Sequence, residues 1–428
     1  MLRRLRVSGF KSLKEVDVSL KGLTVLFGPN AAGKSNVLDA LQLVARMATR
    51  PTLKDAFSPP YRGSPLESVS FGLRGIKDVL EREHVHFSIQ VDLELSDQVV
   101  AQVESEIREI KGERSTSRSL LPHRHVTYKV DVEVKPSSGL LRVSDELLAL
   151  LRQDGQPYSK LPYVQVDGKR IHVRRQGGAG HPMFFERGLD RTVVSMSHYA
   201  PHYPYLVALR RELENWLFLY FEPREKMRSP GPVREVRHVG LMGEELPAFL
   251  NTIQADEAGR RQFKALELAL GKIVPSATGI VTRVNEYGEV EMLVREGNME
   301  VPASVASEGT LRTLGLLSLT AMHPVPGLIG FEEPENGIHP RRIRLIADFL
   351  RTLSRGTQLI VTTHSPVFID MFKEDELFVC TKRDGCTVVE PYRARLMSGL
   401  FRQQAINEAL DSEGLQPSER VLRGDLND

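Results

Sequence analysis

Apolar and polar positions along this chain change their spacing several times, and each spacing predicts a different element. Leu2 to Val7 and Val16 to Leu20 alternate like half-buried strands, with Phe10-Lys11-Ser12-Leu13 between them. The run Leu23-Thr24-Val25-Leu26-Phe27 predicts a fully buried strand, and Val37-Leu38-Asp39-Ala40-Leu41 opens a helix. That helix ends near Arg50-Pro51, because proline has no amide hydrogen to continue it. Residues 51 to 84 hold Pro59-Pro60, Gly63, Pro65, Gly72 and Gly75 and read as irregular structure. His86 to Leu95 and Val126 to Val134 alternate again, as strands do. Val164 to Val166 and Ile171 to Val173 flank Asp167-Gly168, a hairpin signal. Helical spacing returns at Leu206 to Leu217 and Gly259 to Leu270, and Tyr287-Gly288-Glu289 marks a turn between strands. Leu314, Leu316, Leu317 and Leu319 predict a helix, while the runs ending at Phe331 and Val361 predict buried strands. Cys380 and Cys386 fall on the two arms of a hairpin around Arg383-Asp384-Gly385. Leu396 to Leu410 suits one more helix, and the polar residues from Glu413 to Asp428 suit a frayed end.

No heptad repeat persists over several turns, so a long coiled-coil arm is excluded. With 428 residues, 26% charged and 41% hydrophobic, the chain has enough apolar surface for two or three lobes. Two cysteines six positions apart make neither a disulfide framework nor a four-ligand zinc site. The basic start MLRRLRVSGF lacks an apolar core, so it is not a secretory signal, and no run is long enough to span a membrane. The expected location is cytoplasmic. A formal charge of +2 gives no global case for nucleic acid, so any such case is local.

The chemistry begins at Gly28-Pro29-Asn30-Ala31-Ala32-Gly33-Lys34-Ser35-Asn36. Strand, glycine loop and helix with this spacing form a phosphate-binding loop. Gly28 and Gly33 let the backbone wrap an anion, and the loop amides point at it. Lys34 carries charge to the β- and γ-phosphates, and Ser35 offers a hydroxyl to Mg²⁺. Asn30 and Asn36 complete the nucleotide-binding set. A second element, Leu328 to Pro340, ends an apolar strand in Glu332 and Glu333. Two acids at the edge of a buried strand need a cation or a reactive water. Glu332 is the candidate for the Mg²⁺ shell and Glu333 for polarising the attacking water. A third element, Leu359 to Pro366, places His364 at the mouth of a β-branched run as a γ-phosphate sensor. The fourth, Ser307-Glu308-Gly309-Thr310, caps a helix and supplies a second anion site.

The order of these four elements resembles the ABC-type ATPase heads of SMC, RecF and overcoming-lysogenization-defect (OLD) proteins. EEPENGIHP and TTHSP are similar to the stand-alone, AAA-family RecF/OLD-like ATPases of bacterial defence cassettes. The resemblance is strong over residues 1 to 45 and 303 to 370. It implies an α/β P-loop head that binds ATP and Mg²⁺ and hydrolyses ATP, with a mixed α+β insertion. It implies Lys34 and Ser35 for phosphate and metal, Glu332 at the usual aspartate position, Glu333 as catalytic glutamate and His364 as switch histidine. Ser307 and Gly309 would touch the γ-phosphate held by a second subunit, giving a homodimer or a higher oligomer. Lys11 and Ser12 would approach the nucleotide; an exposed turn is the equal alternative. Two departures stand out: Glu332 is one methylene longer than aspartate, and no glutamine, Gln90 included, marks a Q-loop. The expected division is residues 1–95 and 303–396 for the head, 96–302 for the insertion and 397–428 for a final helix and tail. The segment after His364 is too short for a fused TOPRIM nuclease, so a nuclease or toxin effector is expected on a separate chain.

Basic residues gather at Arg108, Lys111, Arg114, Arg118 and Arg124, at Lys169, Arg170, Arg174 and Arg175, and at Arg224, Lys226, Arg228, Arg234 and Arg237. Each could meet a phosphate backbone, though singly each reads better as a solvated or locally paired face. The second cluster is the best nucleic-acid candidate, because Gly177-Gly178-Ala179-Gly180 follows it. Aromatic interleaving for base stacking is absent. His198 and His202 around Tyr199 read as structural. The functional expectation is a nucleotide switch acting on nucleic acid or an effector in antiphage defence. RecF-like DNA repair is the alternative. A transporter subunit is disfavoured, because SEGTLR stands far from the phosphate loop and replaces LSGGQ.

Overall fold

The computed structural model describes residues 1–72, 74–112, 119–176, 182–395 and 416–423. Expectations about Arg114, Arg118, Gly177 to Gly180 and the helix Leu396 to Leu410 lie outside these residues. The chain divides into two compact units.

The first unit comprises Met1–Gly22, Gly28–Trp216 and Phe378–Ala394. Its frame is an eight-stranded antiparallel sheet. The order is Leu13–Ser19, Leu2–Phe10, Val85–Glu94, His125–Lys135, Leu140–Leu150, Val164–Asp167, Arg170–Val173 and Met183–Glu186. Period-two alternation places one row of each strand in the core: Phe87, Ile89, Val91 and Leu93 face it with Val126, Tyr128, Val130, Val132 and Val134. The phosphate-loop helix Lys34–Thr49 buries Val37, Leu41 and Val44 on its apolar side and ends at Arg50, as the proline requires.

The second unit comprises Leu23–Phe27, Leu217–Leu377 and Arg395–Asp428. Strands follow the order Trp216–Leu219, Leu328–Glu332, Gln358–Thr363 and Leu23–Phe27. The last three are parallel, and every residue of them is buried. Parallel strands covered on both faces need continuous apolar runs, which is the pattern these three segments carry. A second, antiparallel sheet holds Gly231–Pro232, Ala277–Val284, Glu289–Glu296 and Met299–Pro302.

Several expectations shift. The helix expected over Leu206 to Leu217 is Pro204–Glu214, and Trp216–Leu219 is a strand instead. Four consecutive apolar residues satisfy a buried strand as well as a helix stripe, and the neighbouring strand decides. The tight turn is Gly168-Lys169, because Asp167 already pairs with Arg170. The carboxyl end is not frayed throughout: Pro417–Arg423 is helical, and Ser418 donates its backbone N–H to Asp370 Oδ1 at 2.9 Å. Helix Asp97–Lys111 and strand Leu140–Leu150 were absent from the sequence reading. Among the described residues no helix is long and apolar enough to cross a membrane.

Candidate nucleotide site

The phosphate loop lies in the first unit. Gly28 and Gly33 have φ of 147° and 95°, where side chains are strained. A Cβ on Gly28 would stand 2.1 Å from the carbonyl oxygen of Cys380, and one on Gly33 would stand 1.9 Å from Thr387 Oγ1. Both glycines are therefore required by the hairpin Leu377–Arg383/Cys386–Pro391 behind the loop. Thr387 Oγ1 donates to Ala32 O at 2.8 Å, so its one hydrogen is used. The 2.6 Å contact with Ser12 must then have Ser12 as donor, while Ser12 Oγ accepts from Asn36 Nδ2 at 2.6 Å. Ser12 thus braces the underside of the loop. Lys34 is buried, and its Nζ donates to Gly28 O at 2.8 Å and Pro29 O at 3.0 Å. The amides of Asn30, Ala31 and Gly33 have no acceptor among the described residues. Three unspent amides around a curled ammonium fit a phosphate. Lys11 points elsewhere: its Nζ meets Asp39 Oδ2 at 2.7 Å and Arg62 O at 3.1 Å. Arg62 closes the other side of the same buried carboxylate at 2.8 Å.

The acidic and histidine elements lie in the second unit. Parallel register pairs Glu332 with Thr362, and Thr363 with Phe27. Glu332, Thr363 and Phe27 therefore end at one edge of the sheet, and the residue after Phe27 is the first glycine of the phosphate loop. Ligands of open parallel sheets bind outside these carboxyl ends. Glu332 is 9% exposed. A carboxylate of this kind suits a hard cation such as Mg²⁺. Glu333 sits at φ 46°, a strained value for a side chain with a Cβ. Its Oε1 lies 2.7 Å from His364 Nδ1, and its Oε2 accepts from Asn336 Nδ2. Each oxygen keeps a lone pair for a water hydrogen. Glu335 is 5% exposed; its Oε1 accepts from Thr363 Oγ1, and burial pushes its carboxyl up to about 7.

The signature helix Glu308–Ser318 belongs to the same unit. Ser307 caps it, its Oγ accepting from Thr310 N at 3.1 Å. A Cβ on Gly309 would stand 2.3 Å from Gly337 O, so the helix start is pressed against the loop that follows the acidic strand. Together they border a cleft of about 420 Å³, lined also by Pro275, His339, Arg341 and Arg342. Arg341 has no ion-pair partner among the described residues. Two arginines beside a helix N-terminus, whose first-turn Glu308 is paired with Arg224, make an environment for an anion.

Residues 23–94 and 78–370 match the family described as an AAA domain, putative AbiEii toxin, type IV TA system. The chain belongs to this AAA-domain family. The OLD nuclease of Thermus scotoductus is similar at 22% identity over 415 residues, covering 94% of this chain. The chain spans 66% of that protein's length. A solved Smc head bound to the C-winged helix domain of ScpA is similar with a TM-score of 0.52 at 14% identity, covering 92% of this chain and 99% of that one. An Smc head with an extended coiled coil, bound to a ScpA domain derived from Pyrococcus furiosus, gives 0.48 at 12% identity over 94% and 99% of the two chains. The first of these likenesses shows the fold: this is an SMC/OLD-like, ABC-type P-loop ATPase head.

Within this AAA-domain head, sequence reasoning missed Glu335, Asn336, Thr387 and the arginines of the cleft. The spacing E-P-E-N was the available signal for the first two. The nucleic-acid candidates are mixed. Lys169 is exposed, and the exposed Arg170 lies 5.6 Å from the Phe184 ring. Arg174 is spent on Pro162 O at 2.8 Å, and Arg175 Nε reaches Tyr203 OH at 3.5 Å. The third cluster pairs with local acids, Arg224 with Glu308 and Arg234 with Glu245. His198 is structural as expected, its Nε2 lying 2.7 Å from Val193 O.

Proposed function

We propose that this chain binds ATP–Mg²⁺, hydrolyses it, and closes head to head with a second copy as a nucleotide switch. The observation that carries the reading is the Glu333–His364 pair at the end of two parallel strands. In this scheme the loop amides and Lys34 hold the β- and γ-phosphates, and Ser35 and Glu332 hold the cation. Bound Mg²⁺ supplies charge neutralisation at the phosphates. Glu333 accepts a hydrogen from the attacking water, whose oxygen bonds to the γ-phosphorus as the bridge to ADP breaks. His364, fixed through Nδ1, turns its other nitrogen to the γ-phosphate. Ser307 and Gly309, with Arg341 and Arg342 beside them, meet the γ-phosphate held on the second copy. Closure acts on nucleic acid or on a nuclease or toxin effector, and antiphage defence is the setting the OLD-like motifs support.

Phosphate release together with mass photometry, with and without ATP, tests this. Wild type is expected to release phosphate and to dimerise with ATP. Lys34→Ala removes the charge facing the triphosphate and should weaken nucleotide binding about 100-fold or more. Unchanged affinity in a folded Lys34→Ala protein refutes the loop assignment.

A further inference from the structure

Glu335 is a buried acid with a single polar tether. Its Oε1 accepts the Thr363 hydroxyl, while its Oε2 is buried with no hydrogen-bond partner. Keeping an unsatisfied carboxyl oxygen in the interior is costly, and a leucine would fill the volume without that cost. What the acid provides and a leucine does not is the bond to Thr363. That bond joins two short segments. One is the turn Glu333–Asn336, closed by Asn336 N donating to Glu333 O at 3.1 Å and stiffened by Pro334. The other is Thr363–Ser365, closed by Ser365 N donating to Thr363 Oγ1 at 2.9 Å. Glu333 stands at the start of the first segment and His364 in the middle of the second. Together with Glu333 N–H donating to Thr362 O at 2.9 Å, the Glu335–Thr363 bond holds the two segments that carry the partners of the 2.7 Å Glu333–His364 contact, and it is the one made by a buried side chain.

We propose that Glu335 is the positioning residue of the Glu333–His364 pair, acting through Thr363 and touching neither water nor phosphate. The inference rests on the ATPase reading for its kinetic consequence and on geometry alone for its structural one. Burial favours the protonated form of Glu335, with Glu333 adding to that preference and His364 opposing it. A glutamine keeps the acceptor oxygen and the neutral state, so it mimics the tether; alanine does not.

The test compares Glu335→Gln, Glu335→Ala, Thr363→Val and the double variant Glu335→Ala/Thr363→Val. Glu335→Ala and Thr363→Val are each expected to lower kcat by about 100-fold with nucleotide affinity retained, the size of a small misplacement of a reacting group. Glu335→Gln should recover most of that loss, and the double variant should be no slower than Glu335→Ala. ¹⁵N-histidine NMR gives a second reading that needs no turnover. The Nδ1 resonance of His364, identified by its loss in His364→Gln, should stay in place in Glu335→Gln and move in Glu335→Ala and Thr363→Val. Glu335→Gln as slow as Glu335→Ala would make the acid a chemical participant and overturn positioning. Additive losses in the double variant, or an unmoved His364 signal in the folded single variants, overturn it as well. Should wild type release no phosphate, the ATPase reading fails while the NMR comparison still decides the tether.

Discussion

In the proposed mechanism Glu333 concentrates the chemistry of this head in one strained residue. Its positive φ is held by neighbours on both carboxylate oxygens and by its backbone N–H donating to Thr362 O at 2.9 Å. A side chain so fixed loses little entropy when a water arrives, which is the advantage of a pre-organised base. In Glu333→Gln the amide cannot take the water hydrogen as a carboxylate does. Nucleotide binding should persist while single-turnover hydrolysis slows by roughly 100- to 10,000-fold. An ATP-bound dimer should accumulate, visible by mass photometry. Normal hydrolysis would mean that the roles of Glu332 and Glu333 are reversed or that both are structural.

At the level of elements, a second buried acid shows how the eight-stranded sheet fastens its cover. Glu146, on the strand Leu140–Leu150, is fully buried and accepts from Val193 N at 2.6 Å, Val194 N at 3.1 Å and Tyr128 OH at 3.1 Å. Glu146→Leu strands those three donors and should cost about 2–5 kcal/mol in urea denaturation. Burial outweighs the donors and pushes the Glu146 carboxyl up from 4.5 to about 7. The folded state thus holds this proton more tightly than the unfolded chain does. Its contribution is most favourable below pH 4.5, is lost as pH rises to about 7, and is flat above. Urea midpoints at pH 5 and pH 7.5 should therefore differ less in Glu146→Leu than in wild type. Glu335 moves in the same direction, so some of the difference should remain.

At the scale of the whole molecule the question is whether one copy suffices. If two copies sandwich ATP, Ser307→Arg blocks closure by bulk and charge while each phosphate loop still binds. Mixing Ser307→Arg with Lys34→Ala then produces dimers with one doubly defective site and one intact site. Partial recovery of hydrolysis in the mixture, absent from either variant alone, is the expected result. Hydrolysis by a strictly monomeric wild type excludes a shared site. No recovery in a verified heterodimer means that both sites fire together or that Ser307 serves its own copy.

Local structure was legible in the amino-acid order. The phosphate loop, the acidic strand, the histidine strand and the capped signature helix each carry a short pattern whose physics is complete within about ten residues. Ser307 caps its helix for reasons written next to it in the chain. Tertiary structure decided what distance along the chain conceals. Thr387, 375 residues from Ser12, braces the phosphate loop, and nothing near it in sequence announces that. Trp216–Leu219 is a strand because a sheet edge was there to receive it. Glu335 reads as one more acid of a turn until burial and Thr363 give it a single tether. Patterns of period two and 3.6 encode which face of an element is buried, whereas the partner that covers that face is chosen only when the chain folds.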